Sequence, residues 1–543
     1  MLTIPAYVNR NVEKFGDLPA LSFEGVTLTW RQAQVRIAQI SQGLTDLGVG
    51  PGDCVALMMS NRPEQWLADQ AAVHLGAVPT TIYGTMPTSQ IAFVAQHAKV
   101  VVAVLEGQEQ VGRWLPLLDQ LPGLRHIVVL DEDAAAAEEP RFRTWDSLVV
   151  EDVDLEAFES KWRAVTSEDP ATLIYTSGTT GVPKGVILTH RNVISNVESL
   201  DEATGIPQHS SNICYLPLAH IAERIISIYT PIVKAGHVTF CPNLDDLIPH
   251  LRQVHPTLFF GVPRVWEKIA AGLRSNPNST LADVGLDRVT WACSAGAPLV
   301  ADVQQYFKDS GISIIEGWGM TETTGIATTT PADELRIGSV GKVISGNEMR
   351  MLEDGEVLIR GPIVCAGYLQ EDGTVSPAAD EDGWMHTGDI GRCDEEGFLY
   401  IIDRKKELII TSGGKNVAPV AIEALLTRHP LVGQSLAYGD RERYIVALIV
   451  LDPEYAQKWA EAAGIEFSSV TELSQNPHVI QEIQGAVDAA NKELARVEQV
   501  KRFHVLPSEW TVDSGELTPS LKLKRRTVQS KFADVIKSLY SDL

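Results

Sequence analysis

The chain has 543 residues, too many for one hydrophobic core, so two or more domains of ~100–200 residues are expected. A hydrophobic content of 44% with 21% charged residues is that of a globular protein, and a formal charge of −25 argues against nucleic acid, whose backbone calls for a basic surface. Six scattered cysteines (Cys54, Cys214, Cys241, Cys293, Cys365, Cys393) form no Cys-x-x-Cys pair, which argues against a zinc site or disulfide framework. With no basic-then-apolar leader and no run near the ~18 apolar residues of a spanning helix, a cytoplasmic location is expected. Peripheral contact with a membrane surface is left open, and so is the oligomeric state.

The first segment alternates helix and strand patterns. Residues 30–47 carry apolar positions at helical spacing and stop at Gly48; 53–59 reads as a strand. A helix follows to Leu75 and stops at Gly76, then come strand 78–83, helix 90–97 and the apolar run 100–105. Helix, glycine and strand in repetition indicate a parallel α/β sheet. The same grammar returns at 221–234 (helix), Ala235-Gly236 (stop) and 237–241 (strand), suggesting two similar α/β lobes, with the acidic, alanine-rich 131–140 as a surface excursion. Residues 335–400 change to short, glycine-punctuated strands, and after 403 a new α+β unit begins, with a strand at 444–451 and a helix at 479–496. The expected division is therefore 1–403 and 404–543.

Between the strand patterns 173–175 and 185–188 lie Thr176, Ser177, Gly178, Thr179, Thr180, Gly181, Val182, Pro183 and Lys184. Two glycines and four hydroxyl residues beside a lysine suit a loop wrapped around polyphosphate, because glycine admits main-chain N–H groups and lysine adds a point charge. A Walker A loop is excluded, since Pro183 precedes Lys184 and Gly185 follows it. A plain hairpin turn would not need four hydroxyls and a lysine.

Further along, Glu316-Gly317-Trp318-Gly319-Met320-Thr321-Glu322 follows a strand pattern at 312–315, the kind of place where open α/β sheets bind ligands. Glu322 is a hard oxygen donor suited to Mg²⁺, Thr321 a donor to a phosphate, and Trp318 a flat face for a base. Thr387-Gly388-Asp389 ends a turn-rich run, with Asp389 suited to ribose hydroxyls. Lys234, Arg252, Arg264 and Lys268 read as solvated surface charges.

Together these stretches resemble the adenylate-forming superfamily, which includes acyl-CoA synthetases, peptide-synthetase adenylation domains and luciferases. The resemblance runs in order from about residue 173 to 525. It implies a large N-terminal domain of two α/β lobes plus a β-rich subdomain, and a small mobile α+β C-terminal domain. It also implies ATP and Mg²⁺ at the loop 176–184, at Gly317-Trp318-Gly319 and at Thr321-Glu322. Ser294-Ala295-Gly296-Ala297 resembles the loop flanking adenine, residues 214–224 resemble the acyl-pocket segment with His220 near the carboxylate, and Arg404 resembles a second nucleotide contact beside Asp389. Gly413-Gly414-Lys415 resembles the loop lining the CoA channel.

Leu517-Thr518-Pro519-Ser520-Leu521-Lys522 resembles the segment whose lysine bridges carboxylate and α-phosphate. Leu521 stands where many relatives carry glycine, leaving Lys522 and Lys524 as alternatives; the spacing to Arg525 favours Lys522. The implied reaction activates a carboxylic acid through an acyl-adenylate. The C-terminal domain then rotates about Lys405-Lys406, so that CoA attacks. Leu216–Arg224, Asp403–Thr411 and Leu517–Arg525, with a helical insertion at 470–500, resemble the long-chain acyl-CoA synthetase branch. The alternatives are a ligase that loads a carrier protein, an aryl-acid CoA ligase and, less in keeping with the charged residues present, a non-catalytic nucleotide-binding protein.

Overall fold

Five strands of the N-terminal part, in the spatial order Val78–Thr81, Cys54–Met58, Val100–Leu105, His126–Val129 and Phe142–Thr144, form an all-parallel sheet in the computed structural model. The structure describes residues 2–134, 139–177, 183–276 and 278–541. Cys54–Met58 and Val100–Leu105 are buried at every position, as strands covered on both faces must be, which is why they read as unbroken apolar runs. The helix Trp30–Asp46 begins where Thr29 and Gln32 form a capping box, and the left-handed Gly48 follows its end.

A second five-stranded sheet starts in the same way, with Leu258–Gly261, Trp291–Ala295 and Ile314–Met320 parallel. It then reverses, Gly325–Thr329 and Lys342–Val343 adding antiparallel. The two lobes are thus alike only in their parallel parts. A third sheet joins Ser211–Cys214, His237–Phe240, Pro19–Phe23 and Val26–Thr29, and a fourth, all antiparallel, joins Val375–Ser376, Gly367–Leu369, Pro183–Thr189 and Pro170–Ser177.

The single helix expected over 221–234 is three pieces: α-helix Ile221–Arg224, π-helix Ile225–Tyr229 and α-helix Thr230–Lys234. Pro231 has no N–H to offer a carbonyl one turn back, so the ladder widens, and the Thr230 N–H reaches Ile225 O instead. At the end of this stretch it is Ala235, not Gly236, that takes the left-handed conformation (φ 48°).

The chain divides into two units. One comprises Met1–Arg350, Leu358–His386 and Cys393–Tyr400; the other comprises Met351–Val357, Thr387–Arg392 and Ile401–Leu543. The second is built on the sheet Val432–Tyr438, Ile445–Leu451 and Val500–Leu506, covered by helices Pro419–Leu426 and Pro477–Glu493. No helix among the described residues is long and apolar enough to cross a membrane, and all six cysteines are free thiols.

Candidate active site

The strands Pro170–Ser177 and Pro183–Thr189 pair antiparallel, with Thr176 opposite Lys184 and Ser177 opposite Pro183. Gly178, Thr179, Thr180 and Gly181 lie outside the described residues. The root of the hairpin is pinned from below, where the Tyr175 hydroxyl and His97 Nδ1 are 2.8 Å apart. Gly185 sits directly across from Tyr175, and a Cβ there would come within 3.2 Å of its ring.

The turn carrying Thr321 and Glu322 is held by an unusual number of bonds. Gly319 makes it possible, since a Cβ at that position would lie 1.8 Å from Gly325 O. Thr324 is left-handed (φ 57°), and its hydroxyl donates to Ile363 O at 2.7 Å. Asn196 Nδ2 donates to Thr323 O and Ile326 O, and Cys365 N to Glu322 O at 2.8 Å. Asn192, one helical turn before Asn196, donates to Pro362 O and Val364 O. Both asparagines belong to the helix His190–Thr204, so a single helix ties down the two segments that meet at Glu322.

Thr321 is buried and the Glu322 side chain is half-buried. Glu322 Oε1 accepts from the Tyr368 hydroxyl at 3.3 Å, and Lys184 Nζ stands 5.0 Å from the centre of the Tyr368 ring. Lys184 and Glu322, far apart in sequence, are thus gathered around a tyrosine that the sequence reading passed over. Its signal was Gly367, which has φ 147° and where a Cβ would lie 2.2 Å from Ser376 O. Burial, with Glu322 beside it, pushes the Tyr368 phenol up, so it stays a hydrogen-bond donor. Among the described residues no cluster of three or more His, Cys, Asp or Glu forms a cage for a metal. One carboxylate with a hard oxygen fits Mg²⁺ only if substrate phosphates and water complete the shell, which is the usual way Mg²⁺ is held at nucleotide sites.

Alongside, Ser294 pairs with Glu316 and Ala295 with Gly317 on parallel strands. Gly296 (φ 90°) and Ala297 are exposed beyond the strand end, whereas Trp318 is 9% exposed. Gly317 lies against Ile326, whose Cδ1 would be 2.9 Å from an added Cβ. Glu316 was also passed over. It is buried, its Oε2 accepts from Leu299 N at 3.2 Å, and burial pushes its carboxyl up to about 7. Its trace in the sequence is an acid closing an apolar strand.

In the 214–224 segment His220 caps the helix Ile221–Arg224, its Nδ1 accepting from Ala222 N at 3.2 Å. That bond leaves Nε2 as the protonated nitrogen of the neutral ring. Glu223 and Arg224 are both buried. Glu223 accepts from Ser227 Oγ at 2.6 Å and is pushed by burial up to about 7, while Arg224 pairs with buried Asp69 at 2.7 Å. Lys234 is not a solvated charge, for it is largely covered and bonds Asp201 at 2.7 Å.

In the second unit Arg404 Nε lies 2.8 Å from Asp389 Oδ1. Residues 387–389, expected at the end of a turn-rich run, sit within the strand Met385–Cys393. There the Thr387 hydroxyl donates to Val357 O, and Gly388 N to Glu356 Oε1. Lys405 N donates to Gly388 O at 2.8 Å, and Lys405 Nζ bonds Asp354 and Glu356. Gly413, Gly414 (φ 71°) and Lys415 form the exposed tip of the hairpin Ile409–Ile410 and Asn416–Val417. Lys522 is exposed on a turn whose backbone is closed by Thr518 N to Lys522 O at 2.8 Å and Lys522 N to Thr518 Oγ1 at 3.0 Å. Leu521 just before it has φ 61°.

A family model described as AMP-binding enzyme matches residues 8–369, and one for the AMP-binding enzyme C-terminal domain matches 406–543. Among similar curated proteins, the long-chain-fatty-acid–CoA ligase FadD15 of Mycobacterium bovis is 34% identical over 95% of this chain and 92% of its own. The long-chain-fatty-acid–CoA ligase ACSBG2 of Xenopus laevis is 31% identical over 100% and 84%. In fold, the chain is similar to the adenylation domain of a carboxylate reductase from Mycobacterium chelonae (TM-score 0.80, 21% identity, 100% of this chain and 91% of that one). It is also similar to an anthranilate CoA ligase in complex with anthranoyl-AMP (TM-score 0.77, 21% identity, 98% of each). With both family models matching in order and the relatives matching nearly end to end, this chain belongs to the AMP-binding, adenylate-forming enzymes.

Proposed function

We propose that this chain is an AMP-forming long-chain fatty acid–CoA ligase, using ATP, Mg²⁺ and CoA. The observation that carries the substrate class is the likeness, along nearly the whole chain, to long-chain-fatty-acid–CoA ligases of a bacterium and a vertebrate. What supports the nucleotide chemistry is the meeting of Lys184 and Glu322 around Tyr368.

In the first half-reaction a fatty carboxylate oxygen attacks the α-phosphorus of ATP. The bond from that phosphorus to the bridging β-phosphate oxygen breaks, and pyrophosphate leaves. Negative charge meeting negative charge is the obstacle. Lys184, the backbone around Thr176 and Ser177, and Lys522 place positive charge and donors where the phosphates gather charge. Bound with ATP on Glu322, Mg²⁺ would supply further charge neutralisation. Trp318, Gly317, Gly319, Gly296 and Ala297 border the base, Asp389 and Arg404 hold the ribose, Thr321 bonds the α-phosphate, and His220 stands by the carboxylate. In the second half-reaction the CoA thiolate attacks the acyl carbon and AMP leaves; Gly413, Gly414 and Lys415 guide the pantetheine. Residues 1–403 thus supply most contacts to ATP and the acyl group, and 404–543 bring Arg404, the lysine and then the CoA loop.

The deciding experiment is mass spectrometry of the purified protein with Mg-ATP, CoA and a pool of short to very long fatty acids and aryl acids. Long-chain acyl-CoA with AMP is expected. Acyl-AMP without acyl-CoA would indicate a carrier-protein acceptor, aryl-CoA would change the substrate class, and no turnover would overturn the proposal.

A further inference from the structure

We propose that Tyr368 is a positioning residue that keeps Lys184 and Glu322 from pairing with each other, so that the cation stays available to phosphate and the carboxylate to metal. This rests on the ATP-using reading above. Lys184 and Glu322 carry opposite charges, both contact the same side chain, and among the described residues neither makes an ion pair. Opposite charges gathered around one side chain attract each other, and a direct pair, though weak at an exposed lysine, would occupy both groups before nucleotide arrived.

Tyr368 offers a different surface to each. Its ring attracts the ammonium through the π-face, and its hydroxyl donates to the carboxylate. The backbone leaves the ring little freedom. Tyr368 pairs with Val186 on the strand that carries Lys184, and with Ser376 on its other side. Three residues earlier, Cys365 N is bonded to Glu322 O. The segment carrying the spacer is therefore bonded through the main chain to the strand of Lys184 and, at Cys365, to Glu322, so it does not depend on nucleotide for its place.

The two contacts can be removed one at a time. Tyr368→Phe keeps the ring and drops the hydroxyl, whereas Tyr368→Leu drops both. The test is calorimetric binding of a non-hydrolysable ATP analogue to the full chain, once in excess Mg²⁺ and once in EDTA, with urea unfolding midpoints to verify that each variant folds. Tyr368→Phe should weaken binding in Mg²⁺ about five-fold, the worth of one hydrogen bond, and leave binding in EDTA unchanged. Tyr368→Leu should weaken both about ten-fold or more, as Lys184 closes on Glu322. In the Tyr368→Leu background, Lys184→Gln should then restore the tightening produced by Mg²⁺, because the carboxylate has lost its competitor. A Tyr368→Phe protein with the Mg²⁺ response of the unchanged chain, or a double variant with no recovery, would overturn the role given to Tyr368. An unchanged chain that binds no analogue in either condition would instead overturn the ATP-using reading, and this inference with it.

Discussion

Arg525 grips Glu423 with both terminal nitrogens, at 2.6 and 2.5 Å, while its Nε donates to Glu407 at 3.0 Å. Both side chains of the fork are nearly covered, and Ala437 N also donates to Glu423, at 2.7 Å. Burial alone would push the Glu423 carboxyl up and the arginine opposes it, so each group depends on the other. Arg525→Ala should cost about 3–5 kcal/mol, because it leaves a buried carboxylate unpaired. Arg525→Lys should recover only part of that, since an ammonium has no planar fork. Hydrogen exchange at the amides of Ile445–Leu451 in the same unit is the readout; protection unchanged in Arg525→Ala would show that the pair does not hold the unit together.

Leu521 gives a second prediction. A leucine at φ 61° bears a steric cost that glycine does not, so a turn needing this conformation would favour glycine there. This left-handed position suits the glycine that many relatives carry before that lysine, and it adds to the spacing to Arg525 in support of the role proposed for Lys522 over Lys524. Leu521→Gly should stabilise the second unit by about 1 kcal/mol, and β-branched Leu521→Val should destabilise it. Urea midpoints measure both, and a lower midpoint for the glycine variant would contradict the account.

For Lys522 itself, Lys522→Ala should slow adenylation about 100- to 1000-fold, the range for losing one transition-state donor. Thioester formation from supplied acyl-adenylate should persist. Single-turnover assays of each half-reaction separate the two. An equal fall in both would remove Lys522 from the role given to it.

Glu223 and Glu316 carry a pH signature. Burial raises both carboxyls from 4.5 to about 7, so the folded chain holds protons that the unfolded chain has released. Stability from these two groups is therefore fully present below about pH 4.5 and is lost as pH rises to about 7, by roughly 3 kcal/mol for each. His74 and His190, lowered by burial from 6.5 to about 4, act in the opposite sense, losing stability as pH falls through that range. The signs separate in a difference measurement. Glu223→Gln should make stability fall less steeply between pH 4.5 and 7, as read from urea midpoints at each pH. An unchanged slope would mean that Glu223 is ionised in the fold.

Much of the fold was legible because its signals are local. Apolar runs marked Cys54–Met58 and Val100–Leu105 to within a residue, and helical spacing ending at Gly48 marked the helix Trp30–Asp46. What was missed depends on contacts distant in sequence. Tyr368 lies 46 residues from Glu322, and nothing in its own neighbourhood says that its hydroxyl reaches that carboxylate. Arg224 is paired with Asp69, 155 residues away, a contact that nothing in its own neighbourhood announces. Lys234 was misread for the same reason, its partner Asp201 being on another helix. The π-turn did leave a mark, Pro231, but a proline inside a helical pattern has several outcomes, and only the bond from Thr230 to Ile225 O selects this one.

The second unit borrows Met351–Val357 and Thr387–Arg392 from upstream of its main segment, and Lys405 is fastened to both through Asp354, Glu356 and Gly388. A single crossover near residue 404, the cut that a genetic recombination experiment would choose from the sequence, therefore separates Arg404 and Lys405 from their own anchors. A chimera made in that way would inherit the loops around Gly414 and Lys522 from one parent and the anchors of Lys405 from the other. Cassette exchange between relatives should succeed only when Asp354, Glu356 and the 387–392 strand travel with the C-terminal part.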